Sequence, residues 1–191
     1  GVEFFVHSPF GERDAGGVLD RNENSLVFPA AFKLGDTRFL MAADTIWENW
    51  DKIVRISRLH KNTDRLVWDI FKLPHHCSYL SLAPDKGDVE TIPVANMQWL
   101  LEQGRSRAIV VSTSWPIDDV DQDQPPHFQA KNRYKRVLAE KQGRFIVTME
   151  HPNRVAPKRV VVEITAGGAS LTTASALSSA GLVSTQAPRV G

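Results

Sequence analysis

Residues 65–78 read Arg-Leu-Val-Trp-Asp-Ile-Phe-Lys-Leu-Pro-His-His-Cys-Ser, an apolar run ended by a proline and two adjacent histidines. A run of this length, rich in Val, Ile, Phe and Trp, predicts a buried strand over 66–73. His75 and His76 then fall just past its C-terminal end, where open α/β sheets gather their ligands. A second apolar run, Thr37-Arg-Phe-Leu-Met-Ala-Ala43, ends the same way on Asp44. Two neighbouring strands would deliver an imidazole pair and a carboxylate to one edge. Those are donor types of a metal site.

Further strands are predicted over 2–6 and 25–34, the latter joined to 37–43 as a hairpin by the turn signal Gly35-Asp36. Thr45 is placed to cap a helix with Glu48 three residues on, and Ile46, Trp50, Ile53 and Ile56 recur at helical spacing over 46–60. Helices over 94–103 and 129–142 are each closed by a glycine, Gly104 and Gly143. Strands over 108–112, 145–149 and 160–164 complete the order β-β-β-α-β-α-β-α-β-β. That order is an α/β fold, a mixed sheet with flanking helices. From Ala166 the composition turns to Ala, Ser, Thr and Gly with almost no charge. Residues 1–165 thus read as one domain and 166–191 as a mobile tail or linker.

At 191 residues the chain can bury a substantial core, and a net charge of +1 gives no global field toward nucleic acid or an anionic membrane. No apolar stretch spans a bilayer, and no signal peptide opens the chain. No membrane partner is expected. The single cysteine excludes an internal disulfide and fits a reducing, cytoplasmic compartment. Because the chain opens Gly-Val-Glu-Phe-Phe, directly into a strand, the expectation is a piece of something longer.

Three stretches combine: Asn22-Glu-Asn-Ser-Leu-Val27, Phe39-Leu-Met-Ala-Ala-Asp44 with Glu48 soon after, and Phe71-Lys-Leu-Pro-His-His-Cys-Ser78. In order and spacing they resemble the N-x-N-S-L-V, L-L-T-G-D and K-V-P-H-H-G-S of the metallo-β-lactamase superfamily. The branch is the one related to the hydrolase domain of the competence protein ComEC. The resemblance covers 1–165 and implies the C-terminal half of an αββα sandwich. It also implies a metal-dependent hydrolase, a phosphodiesterase or nuclease acting on nucleic acid or a nucleotide. Asp44 takes the place of the carboxylate that bridges two metal ions, zinc or manganese. His75 takes that of the late histidine ligand, with His76 behind it or facing substrate. Asn24 stands where other branches place a ligand histidine; it either ligates through its amide oxygen or holds a turn. His127 matches a histidine that precedes the last long helix and touches substrate. Two such ions activate water at neutral pH and stabilise the attacking and leaving oxygens of a phosphodiester.

The departures are as informative. The superfamily's main ligand cluster, H-x-H-x-D-H, is absent: the six histidines are His7, His60, His75, His76, His127 and His151. Cys77 stands for the Gly of H-H-G-S and Ala43 for the Gly before the aspartate. Either a partner N-terminal half supplies the missing ligands, or the chain is a degenerate, non-catalytic half-domain used for binding or regulation.

Other readings stay open. Asp44 also suits a helix N-terminus, where the macrodipole favours a carboxylate. Cys77 beside His76 reads as a nucleophile or as a buried structural thiol. Asp118-Asp119-Val-Asp121-Gln-Asp123 alternates carboxylates like an EF-hand loop but lacks its glycine and closing glutamate. Lys131, Arg133, Lys135, Arg136 and Lys141 make helix 129–142 a phosphate-contacting stripe or a solvated face. Lys131, Arg133 and Arg136 are its candidate substrate contacts. Of five tryptophans, Trp115 follows a strand in a loop and suits base stacking.

Overall fold

A computed structural model describes residues 1–11, 13–18 and 25–172. Its centre is a six-stranded sheet in sequence order: β1 (Val2–Phe4), β2 (Val27–Phe32), β3 (Thr37–Ala42), β4 (Trp68–Lys72), β5 (Gly104–Ser112) and β6 (Arg144–Val147). The first three strands run antiparallel, and β3 to β6 run parallel. Each parallel step needs a crossover. These are α1 (Trp47–Leu59), α2 (Ala95–Glu102) and α3 (Phe128–Glu140). Because the crossovers advance one strand at a time and share the right-handed rule, all three helices fall on one face.

That face is the core. Leu40, Ala42, Phe71, Ala108, Val110 and Val147 on the strands, with Leu73 just past β4, pack with Trp50 and Ile53 of α1, Leu100 and Leu101 of α2, and Tyr134 and Leu138 of α3. Trp68 and Phe71 are three residues apart yet both join it, because β4 shifts register against β5 between Trp68 and Ile70. The Trp68 ring lies 5.4 Å from Phe71, and its Nε1 donates to the Leu100 carbonyl at 3.0 Å. Buried indoles keep their single donor satisfied in this way.

The opposite face carries the alternate residues Phe28, Phe39, Met41, Ile70, Ile109, Val111 and Ile146. Period-two alternation on a sheet buried on one side only would make these positions polar. Lys72 and Arg144 share this face, but most of its positions are apolar, so the sheet is suited to cover on both sides. Among the described residues that cover is partial: a hairpin of β7 (Val162–Thr165) and β8 (Gly168–Leu171) lies over part of the face. A cavity of about 400 Å³ remains between them, lined by Phe39, Ile70, Lys72 and Val111 of the sheet and by Val162 and Ile164 of the hairpin. Gly35 lets the hairpin approach: at φ +63 a Cβ there would collide with the Thr165 carbonyl oxygen.

The expected elements are present with shifted ends, each for a local reason. The strand predicted over 25–34 stops at Phe32, and Leu34 enters a 3-10 turn through Asp36. Thr45 does not cap α1. Ile46 is the N-cap, its carbonyl accepting from both Asn49 and Trp50 at 3.2 Å, and the Thr45 hydroxyl is buried without a partner. The boundary expected at residue 165 falls inside the β7–β8 hairpin, because the Ala166-Gly167 turn signal returns the chain to pair with itself. The rest of the expected tail, 173–191, lies outside the described residues, as do Asn22 and Asn24. Among the described residues no helix is long and apolar enough to cross a membrane.

His7 sits beneath Phe5, ring edge to face at 4.9 Å, with Nε2 buried and unpartnered. Burial pulls this imidazole down to about 4, against a hydrogen bond with the Arg65 backbone that raises it. The folded state holds His7 neutral, whereas the unfolded chain protonates it below about 6.5. Stability from this group is therefore complete above pH 6.5 and declines as pH falls toward 4, by an amount on the order of 2–3 kcal/mol. Urea melts at pH 7.5 and 4.5 on wild type and His7→Asn check it. The variant is expected to lose less between the two pH values, and equal losses contradict the assignment.

Candidate functional site

β3 and β4 are parallel neighbours, so their C-terminal ends open on the same edge of the sheet. One backbone bond ties the loops that follow: the His75 N–H donates to the Ala43 carbonyl at 2.9 Å. Asp44 and the two histidines are brought together by it. The nearer imidazole is His76, whose Nε2 stands 3.9 Å from Asp44 Oδ1, with both side chains more than half exposed. His76 Nδ1 lies 2.7 Å from the Thr113 carbonyl oxygen beyond β5. A carbonyl only accepts, so Nδ1 carries the proton and a neutral His76 presents a bare Nε2 beside the carboxylate.

The turn that presents these groups is conformationally costly. His75, His76 and Cys77 take positive φ values of 45, 52 and 69 in succession. Each non-glycine residue in this region costs roughly 1–2 kcal/mol. Backbone bonds from Cys77 N–H to the Pro74 carbonyl and from Ser78 N–H to the His75 carbonyl hold the turn. The fully buried Cys77 side chain anchors it beneath. Burial pushes that thiol far above its ordinary value, a contact with Ser112 acting the other way. Cys77 is a packed thiol, not a nucleophile.

His75 is half-buried, with Nδ1 buried and unpartnered. His127 is the N-cap of α3, only 2% exposed, and its N–H donates to the Cys77 carbonyl at 3.1 Å. Its ring stands edge-on to Tyr79 at 4.9 Å, and its Nε2 also lacks a partner. Burial holds this imidazole below the ordinary histidine value, with His75 close enough to add to the effect. The structure thus brings Asp44, His75, His76 and His127 to one edge.

The basic residues of α3 go elsewhere. Lys131 donates to the Ile117 carbonyl at 2.9 Å and to Asp119 at 2.6 Å. Arg133 pairs with the buried Glu90 at 3.0 Å and bonds Gln98, and Arg136 closes on the other Glu90 oxygen. Lys131 and Arg133 side chains are only 15% exposed. Loops 85–92 and 117–123 thus bring carboxylates to Lys131, Arg133 and Arg136, while Arg136 stays 66% exposed and Lys135 faces solvent. No helical periodicity could announce that, because the carboxylates come from distant sequence.

Lys72, quoted in the motif but given no role, proves to be part of the edge. Its Nζ donates to the Ala42 carbonyl at 2.8 Å. Burial draws its ammonium below the usual lysine range, opposed by the charge of Asp44. A lone cation inside an apolar strand was the available signal. Beyond His76 a second cavity of about 380 Å³ opens between Thr113, Trp115, Pro125, Pro126 and Met149.

As a metal site, the edge offers the right kinds of donor: an exposed carboxylate, a bare imidazole nitrogen and two orphaned buried imidazole nitrogens. Among the described residues, no group of three His, Cys, Asp or Glu side chains could hold an ion. The donors fit a metal in chemistry and fall short of a closed set in number. Compared with protein-family models and with curated proteins, the chain matches none. The metallo-β-lactamase likeness therefore rests on its motifs alone.

The strain at Cys77 is measurable. Glycine normally costs about 0.5–1 kcal/mol relative to alanine, but at φ +69 the order reverses because no Cβ meets the backbone. Cys77→Gly and Cys77→Ala lose the thiol's packing alike. Cys77→Gly is expected to be as stable as Cys77→Ala or about 1 kcal/mol more so by urea unfolding. A glycine variant clearly below the alanine variant would show that the turn is unstrained.

Proposed function

We propose that this chain is part of a metal-dependent hydrolase of the metallo-β-lactamase type that cleaves phosphodiesters. It forms the C-terminal half of the sandwich, and a segment carrying H-x-H-x-D-H completes both site and core. The observation that carries this reading is the edge itself: Asp44 Oδ1 and His76 Nε2 stand 3.9 Å apart at the ends of adjacent parallel strands, with His76 Nδ1 turned to the Thr113 carbonyl. Metal-ligating histidines characteristically donate their other ring N–H to a carbonyl or carboxylate, as His76 does to Thr113. The apolar second face of the sheet supports the missing layer. Residues that would hold metal from this half are Asp44 and His76, with His75 next in the turn. Asn24 keeps the role implied for it as a proposal only.

The ions would supply water activation and neutralisation of charge on a phosphodiester. The chain's own residues do the rest. The Ala43–His75 bond fixes the distance between carboxylate and imidazole. The Thr113 carbonyl holds His76 in the tautomer whose Nε2 is free. Lys72, half-buried and bonded to the Ala42 carbonyl, places an ammonium close enough to Asp44 for the two charges to interact.

A second reading, a degenerate half-domain that binds without catalysis, draws on one observation. Cys77 and Ala43 place side chains where the resembling family has glycine, beside the edge that would approach the ions.

Metal analysis and hydrolysis of bis(4-nitrophenyl) phosphate by the full-length protein separate the two. Asp44→Ala is expected to lower bound metal and abolish hydrolysis, and His76→Ala to lower both by about 10–100-fold or more. His75→Ala is expected to retain more of each than His76→Ala. Metal content unchanged in Asp44→Ala would reduce that aspartate to a helix-start carboxylate and favour the non-catalytic reading.

A further inference from the structure

The open cavity beyond His76 combines the polar residues His76, Thr113, Ser114 and Thr148 with an aromatic and apolar rim. Trp115 lines it with 71% of its surface exposed, and Pro125, Pro126 and Met149 supply its apolar lining. At about 380 Å³ it falls within the usual range for small-ligand pockets. The indole is not on a loose loop. Two residues on, Ile117 is buried, its N–H donating to Glu150 at 2.9 Å and its carbonyl accepting from Lys131 at 2.9 Å. The following aspartates are strapped down one by one: Asp118 to Arg154, Asp119 to Lys131 and Asp121 to Lys86. Gln122 bonds the Pro126 carbonyl and closes the loop against the proline wall. An exposed aromatic ring on a backbone tied down this way, beside a largely apolar slot, leaves less of the chain to be ordered on stacking.

The same ion pairs say what does not bind. The cations that meet the loop following Trp115 (Lys86, Lys131 and Arg154) come from three other segments, and each faces a carboxylate of residues 118–121. A long polyanion gains affinity by releasing counterions to free lysines and arginines. This rim offers it paired ones instead.

We infer that the cavity is a base-stacking subsite: Trp115 takes one face of a nucleobase, placing the attached phosphate at His76 and Asp44. The substrate is then a short, base-bearing phosphodiester and not a long nucleic-acid strand. This rests on the hydrolase reading for the phosphate's destination, whereas base stacking itself does not.

The test separates the two. Binding of adenosine 5′-monophosphate, which has no phosphodiester to cleave, is measured by calorimetry on the full-length protein in chelator. The expected result is saturable binding that weakens roughly 5- to 100-fold in Trp115→Ala and only slightly in Trp115→Phe. Ribose 5-phosphate, lacking the base, should bind wild type no better than the monophosphate binds Trp115→Ala. Thermal melts confirm that the exposed substitution leaves the fold intact. A deoxyadenosine oligonucleotide should bind little tighter than the monophosphate, with a shallow salt dependence. Absent binding of the monophosphate, or equal binding by wild type and Trp115→Ala, overturns the subsite. A much tighter oligonucleotide with a steep salt slope overturns the short-substrate assignment. Loss of the subsite leaves metal binding at Asp44 standing, and loss of metal binding leaves the subsite standing.

Discussion

The His75 N–H to Ala43 carbonyl bond decides the geometry of the functional edge. It extends the β3–β4 pairing past the last ladder residues and pins two loops that would otherwise diverge. Without it Asp44 would belong only to the approach to α1, and the histidines only to the turn before the 3-10 segment 79–81. With it, the cost of three successive left-handed residues goes into holding an imidazole at a set distance from a carboxylate. Strain stored this way persists only where the surroundings over-determine it. Here the buried Cys77 side chain and the His127 bond to the Cys77 carbonyl supply that determination.

The second constraint is the sheet's two apolar faces. The helices satisfy one of them, and the β7–β8 hairpin covers part of the other, leaving a cavity against Phe39, Ile70 and Val111. In physical terms this is the same incompleteness as the donor set at the edge. Among the described residues the second face is covered only in part and the donors are fewer than a metal set requires, and under the proposal a single additional segment packed on that face would remedy both. That convergence of packing and chemistry supports the half-sandwich proposal more than either does separately.

Much of the fold was legible in the sequence because its signals are local. The apolar run before Pro74, the periodicity of α1 and the glycines after α2 and α3 each report on their own neighbours. What escaped was non-local. The pairing of Lys131 with Asp119, 12 residues away, and of Arg133 with Glu90, 43 away, lies outside helical periodicity, so part of a stripe that reads as free charge is internally paired. The β7–β8 hairpin begins among β-branched residues but ends in a small-residue stretch that composition alone assigns to a tail. At the site, the motif located Asp44 and the histidine pair. It could not say which imidazole faces the carboxylate, since that depends on the Thr113 carbonyl, delivered by another strand.

The most direct test is a crystal structure of the full-length protein grown with zinc, with anomalous scattering collected at the zinc edge. A peak is expected about 2.0–2.2 Å from both an Asp44 oxygen and His76 Nε2. Its remaining ligands would come from a segment packed on the sheet's second face. A zinc peak away from this edge, or none with Asp44 and His76 ordered, would contradict it.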